Sequence, residues 1–286
     1  MSELFNQEFL KKLSAIAISS RVVLSGGMSG NRKSRSKGSS VEFSDYREYS
    51  LGDDFRRIDW NAYGRFDKLF IKLFMEEREA PVTIILDTSK SMMWGQPQKS
   101  TASRRLAAAL SYMCLANYDR LNIALIGDGI SSLKLNMRGK NSFPSILDFL
   151  ENARYEGVTN IDLSIRQINF SGRGISVIIS DLLSGDSIKD VIKYLKLRKQ
   201  EVMVCQVLSP EEISPDIHES VRLIDSETGE IRDVTVTSSV LKTYKKVFEK
   251  FIKEKEGACT GLGASYMMIN SDLPTEEMIK MVVERQ

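Results

Sequence analysis

The chain has 286 residues, 42% of them hydrophobic, and carries 40 basic against 38 acidic side chains for a formal charge of +2. That length allows one large core, or one core with a smaller lobe, since domains run about 100–200 residues. A charge so nearly balanced excludes a molecule built as a whole to bind polyanions, so nucleic acid is not a favoured partner.

At the N-terminus, Glu3, Glu8, Lys11 and Lys12 break up the apolar stretch a secretion signal needs. No run in the chain approaches the ~18 consecutive apolar residues of a membrane helix, and the expected location is cytoplasmic. Residues 3–18 place Phe5, Phe9, Leu13 and Ile16 on one stripe, with acids before bases. This predicts an amphipathic helix whose apolar face docks on the main domain or, as the alternative, in a groove of a partner. Gly26 to Gly30 and the basic residues Arg32, Lys33, Arg35 and Lys37 predict a loop, its charges solvated rather than gathered on a phosphate.

From Gly38 to Lys72, Asp53, Asp54 and Asp59 interleave with Arg47, Arg56, Arg57 and the aromatics Tyr46, Tyr49 and Trp60, and Leu69 to Leu73 reads as a strand. Two readings compete: a small β-rich lobe knitted by arginine–carboxylate pairs, or a carboxylate cluster forming a second centre. Arginines so close to the acids favour pairing, because forked Arg–carboxylate bonds are strong ones. The expected division is therefore 1–80, holding the helix, the basic loop and the lobe, and 81–286, holding the main domain with a hairpin insertion near 221–237.

Val82 to Leu86 is apolar apart from Thr83, as a strand buried on both faces of a parallel sheet should be. It ends in Asp87-Thr88-Ser89-Lys90-Ser91. A helix follows from about Ser100 to Asn117, with Ala102, Leu106, Ala109, Leu110 and Met113 on its buried face. Leu121 to Ile126 and Ser132 to Asn136, joined through Gly127-Asp128-Gly129, predict an antiparallel pair at a sheet edge. A loop then carries Gly157-Val158-Thr159, and a second buried strand, Ile175 to Ile179, ends in Ser180-Asp181. Strand and helix keep alternating through Val202 to Leu208, Val240 to Ile252, Ser265 to Ile269 and Thr275 to Val283. That alternation predicts an α/β fold with a doubly wound, mainly parallel sheet and one antiparallel edge strand.

Cys114, Cys205 and Cys259 stand far apart in apolar or helical contexts, which fits buried thiols in a reducing compartment rather than a disulfide framework. The single histidine, His218, has no companions to complete a zinc site, and no GxxxxGK[ST] loop is present for nucleotide chemistry. What remains is the strand-end set. Ligands in open α/β sheets collect at the carboxyl ends of strands. There Asp87, Ser89 and Ser91 offer one carboxylate and two hydroxyls, hard oxygen donors suited to Mg²⁺ or, second, Mn²⁺.

Asp87-x-Ser89-x-Ser91 at the end of a buried strand, Thr159 in the middle loop and Asp181 after the second strand resemble, in order, the metal-ion-dependent adhesion site (MIDAS) of von Willebrand factor A domains. That resemblance implies hydroxyl ligands from Ser89, Ser91 and Thr159, carboxylates of Asp87 and Asp181 orienting waters on the ion, and a vacant position for an acidic side chain of a partner. Glu42-Phe43, Arg47-Glu48-Tyr49, Gly52-Asp53-Asp54, Arg56, Ile58-Asp59-Trp60, Arg65 and Glu77-Arg78-Glu79 ahead of the Asp87 motif extend the likeness. Together they resemble domain-of-unknown-function family 58, proteins with a von Willebrand A-like domain.

The family resemblance implies a partner, a MoxR-type AAA+ ATPase, and a role as adaptor or co-chaperone rather than enzyme. Many relatives carry transmembrane segments ahead of this signature, and this chain is expected to act without them. The competing reading is a metal-dependent phosphoester hydrolase using Asp87. Such enzymes need a general acid two residues beyond the nucleophile, and Ser89 stands there.

Overall fold

The computed structural model describes residues 4–19, 41–50, 52–76, 81–117, 119–217, 220–224 and 229–284. The glycine-rich and basic segment 26–37, Glu77 to Glu79 and His218 lie outside the described residues. The chain divides into two units, one formed by Met1–Leu24 with Ala80–Gln286 and the other by Ser25–Glu79. Helix α1 (Gln7–Ser19) thus belongs with the larger unit and not with the β-rich lobe with which the sequence grouped it. Phe5 just ahead of it and its own Phe9 and Leu13 are buried, the side chain of Ile16 lies outside the described residues, and Lys12 reaches Glu276 at 3.0 Å.

The smaller unit contains strands β1 (Val41–Glu48) and β2 (Phe70–Glu76), paired antiparallel, with helix α2 (Trp60–Phe66) between them. Its acids serve its own turns. Arg47 Nη2 meets both oxygens of Asp53 at 2.7 and 2.8 Å, and Asp54 accepts from Arg56 N at 3.1 Å. Asp59 caps α2 through Asn61 N at 2.9 Å and accepts from Tyr46 Oη at 2.8 Å. Arg47–Asp53 is an arginine–carboxylate pair of the kind expected, whereas Asp54 and Asp59 serve backbone amides and a tyrosine, and among the described residues no group of three acids gathers as a second centre.

In the larger unit the chain runs β3 (Val82–Asp87), α3 (Lys99–Ala116), β4 (Leu121–Gly127), β5 (Gly129–Met137), α4 (Phe143–Glu151), α5 (Ile161–Gln167) and β6 (Gly174–Ser180). It continues with α6 (Ile188–Leu197), β7 (Gln200–Leu208), α7 (Pro210–Ile213), the hairpin β8 (Ser220–Ile224) and β9 (Ile231–Thr235), α8 (Ser238–Thr260), β10 (Ser265–Asn270) and α9 (Thr275–Glu284). Six strands form the central sheet in the order β10-β7-β6-β3-β4-β5. All pair parallel except β5, which lies antiparallel on the edge beside β4.

Helices α1, α3, α4 and α9 pack as one layer, and α5, α6 and α8 as the other. Every residue of β3 and β6 is buried, which explains why neither shows polar alternation. From β3 the chain first builds outward through β4 and β5, then crosses to the other side of β3 for β6, β7 and β10. The order reverses between β3 and β6, and the crevice beyond their carboxyl ends is where such sheets place ligands.

Candidate metal centre

At that crevice Asp87 closes β3 and Ser180 closes β6. Two backbone bonds zip the loop after β3 to the loop before α5: Lys90 N donates to Gly157 O, and Glu156 N donates to Thr88 O, both at 3.0 Å. Gly157 adopts φ of +68°, a left-handed turn that glycine makes at no steric cost. Thr159 is thereby delivered to Asp87, and its hydroxyl donates to Asp87 Oδ1. The same oxygen accepts Ser89 N at 2.9 Å, while Ser180 Oγ donates to Oδ2 at 2.6 Å. The hydroxyls of Ser89 and Ser91 lie 3.0 Å apart.

Asp87 is 1% exposed, and its carboxyl is held above the ordinary carboxylate range, first by burial and then by the nearby charge of Asp181. The bonds from Ser180, Thr159 and Ser89 oppose that rise without cancelling it. The Tyr155 hydroxyl is buried without a hydrogen-bond partner among the described residues. Burial raises its pKa, Arg104 opposes, and the charge of Asp87 adds to the rise.

Asp181 is also buried but points its oxygens elsewhere. Oδ2 accepts from Lys99 Nζ at 2.7 Å and Oδ1 from Leu183 N at 3.1 Å. Lys99, the first residue of α3 and fully buried, also reaches Glu212 Oε1 at 2.5 Å. Glu212 caps α7 reciprocally with Ser209, its Oε2 accepting from Ser209 N at 2.8 Å.

Of the five residues singled out in the sequence, Asp87, Ser89, Ser91 and Thr159 join one hydrogen-bonded cluster. Asp181 is their electrostatic neighbour and is bonded instead to a lysine. Ser180, Lys99 and Glu212 escaped sequence reasoning. Lys99 did leave a trace, because it stands three residues before Ala102 and seven before Leu106, on the apolar stripe of its helix.

The donor set fits a hard divalent cation. Neighbouring corners of an oxygen octahedron with ~2.1 Å bonds lie about 3.0 Å apart, the spacing of the Ser89 and Ser91 hydroxyls. Asp87 is a buried carboxylate bonded, among the described residues, to neutral donors, and a charge so placed calls for a counter-ion. Among the described residues no three Asp, Glu, His or Cys side chains gather as an all-anionic cage. An ion here would be held largely by hydroxyls and water.

Residues 45–254 match the family described as protein of unknown function DUF58, and the chain belongs to that family. Uncharacterized proteins of Mycobacterium tuberculosis and Mycobacterium bovis are 23% identical to it over 273 residues, covering 92% of this chain and 85% of theirs. Among solved structures, BatB from Bacteroides thetaiotaomicron is similar at 17% identity and TM-score 0.42, over 71% of this chain and 98% of that one. The SpRpn10 VWA domain is similar at 12% identity and TM-score 0.42, over 71% and 95%. Proximal thread matrix protein 1 of the mussel byssus, with a zinc-occupied MIDAS motif, is similar at 14% identity and TM-score 0.42, over 72% and 47%. No helix among the described residues is long and apolar enough to cross a membrane.

Proposed function

We propose that the protein is a cytoplasmic, divalent-cation-dependent interaction module rather than an enzyme. Mg²⁺ is its natural ion and Mn²⁺ a substitute. Asp87, Ser89, Ser91 and Thr159 hold the ion, and Asp181 lends its charge from beside it. The observation that carries this reading is the buried Asp87 carboxylate, served among the described residues by neutral donors, beside two hydroxyls at the spacing of adjacent ligands. Few anions in direct contact leave such an ion electrophilic, with affinity for an incoming carboxylate. The partner feature is therefore an Asp or Glu side chain. A MoxR-type AAA+ ATPase is the partner the family resemblance supplies, with this chain as its adaptor or co-chaperone.

Calorimetric titration of Mg²⁺ and Mn²⁺ into the full chain and into Asp87→Ala tests the reading. Saturable heat is expected from the wild type and none from the variant, with unchanged far-ultraviolet circular dichroism. Equal heats from both would overturn it. Capture of the ATPase with and without chelator then tests the partner, expected only when the divalent ion is present.

A further inference from the structure

We infer that Lys99 is an internal counter-ion of this centre: its ammonium, shared between Asp181 and Glu212, sets how tightly a divalent cation is held and ties occupancy to the start of α7. The inference rests on the metal-binding reading above. It makes Lys99 a positioning residue and not a ligand.

Lys99 is wholly buried, and a buried ammonium persists only with partners. It has two, Asp181 Oδ2 at 2.7 Å and Glu212 Oε1 at 2.5 Å. Asp181 and Glu212 set two carboxylates against its one ammonium, and the charge of Asp181 also reaches Asp87 at the hydroxyl cluster, so negative charge is in excess there. Asp87 and Asp181 are 1% and 2% exposed, so water screens that imbalance poorly.

An ion placed at the hydroxyl cluster meets Asp181 already half-claimed by the lysine, and it also meets the lysine's fixed positive charge. Glu212 works in the opposite sense, adding negative charge and drawing the ammonium away from Asp181. Because Glu212 also receives the Ser209 amide at the start of α7, any shift of the ammonium toward it is felt by that helix. The consequence is a site of restrained affinity, loaded and emptied by small changes near α7.

Even under the screening of bulk water, a unit charge one residue removed from a divalent ion changes its affinity by roughly an order of magnitude. Mn²⁺ titration of the chelator-dialysed full chain should therefore show Lys99→Met binding about tenfold or more tightly than the wild type. Glu212→Gln should bind more weakly, Lys99→Arg should match the wild type, and Lys99→Met combined with Asp87→Ala should not bind. Binding detected in Lys99→Met alone also supports the inference. Opposite shifts from the two members of one salt bridge cannot come from loosened packing, which would weaken both variants.

If both variants shift affinity in one direction, or neither shifts it while Asp87→Ala abolishes binding, Lys99 is merely structural and the metal reading stands. Absence of heat from wild type, Lys99→Met and Glu212→Gln alike removes both. Should Lys99→Met fail to fold, Glu212→Gln decides, since glutamine keeps a capping box, and an unchanged affinity there overturns the inference.

Discussion

Asp87 concentrates the conflict between folding and function in one side chain. Its carboxylate is desolvated and sits near Asp181, so in the folded protein it titrates above its ordinary value of 3.8. The folded state therefore holds that proton more readily than the unfolded chain. Metal-free stability should fall as pH rises through the window between the two values, then level off. Asparagine keeps the shape, with Ser180 free to turn its hydroxyl and accept. Asp87→Asn in chelator at neutral pH should accordingly melt a few degrees higher than the wild type, as roughly 1 kcal/mol produces in a domain of this size. Excess divalent ion should reverse that order. A calorimetric scan in which the variant melts lower without metal would show that the charge is already balanced within the protein. Asp87, Ser89 and Ser91 were legible in sequence because a buried strand announces its own end. The roles of Ser180 and Lys99 were not, since their bonds to Asp87 and Asp181 span 93 and 82 residues, and the helical stripe marks Lys99 as core-facing without saying what it faces.

Helices α3 and α8 show where periodicity informs and where it stops. Both carry apolar stripes, yet Leu106 of α3 is fully buried while Val240, Tyr244 and Val247 of α8 are 40%, 37% and 62% exposed. The stripe of α8 meets the core only toward its end, at Cys259, and its first half touches α7 through the Tyr244 hydroxyl, which donates to Glu212 O at 2.5 Å. Urea unfolding should separate the two. Leu106→Ala should lose about 2–5 kcal/mol by leaving a cavity, whereas Val247→Lys should stay within about 0.5 kcal/mol. A large loss at Val247 would mean that this face is covered in solution. A spacing of three and four residues states that a face is apolar and is silent about what lies against it. The stripe of α1 likewise marked a face to be covered, while its grouping with the lobe differs from the structure, where α1 joins the larger unit and the second unit ends at Glu79.

For the larger unit as a whole, the three cysteines act as reporters placed by the fold. Cys114 lies on α3 in one helix layer, Cys205 on strand β7 of the sheet between the layers, and Cys259 on α8 in the opposite layer. All three are buried and free. Burial pushes Cys205 up to about 12 and Cys259 up to about 11, the latter eased by Lys255, and it raises Cys114 as well, with Asp119 adding to the rise. At pH 8 all three are therefore thiols out of reach of reagent, and the reactive species is the thiolate. Ellman's reagent should find no fast-reacting thiol in the native protein and three after denaturation. Because the sheet joins both layers, slow labelling of the native chain should proceed with one common rate, set by opening of the whole unit rather than by fraying of a part. Site-resolved mass spectrometry over the labelling course checks this. Cys259 reacting well ahead of the other two would reveal that the α8 layer opens alone and that the exposed first half of the helix marks a separately unfolding element.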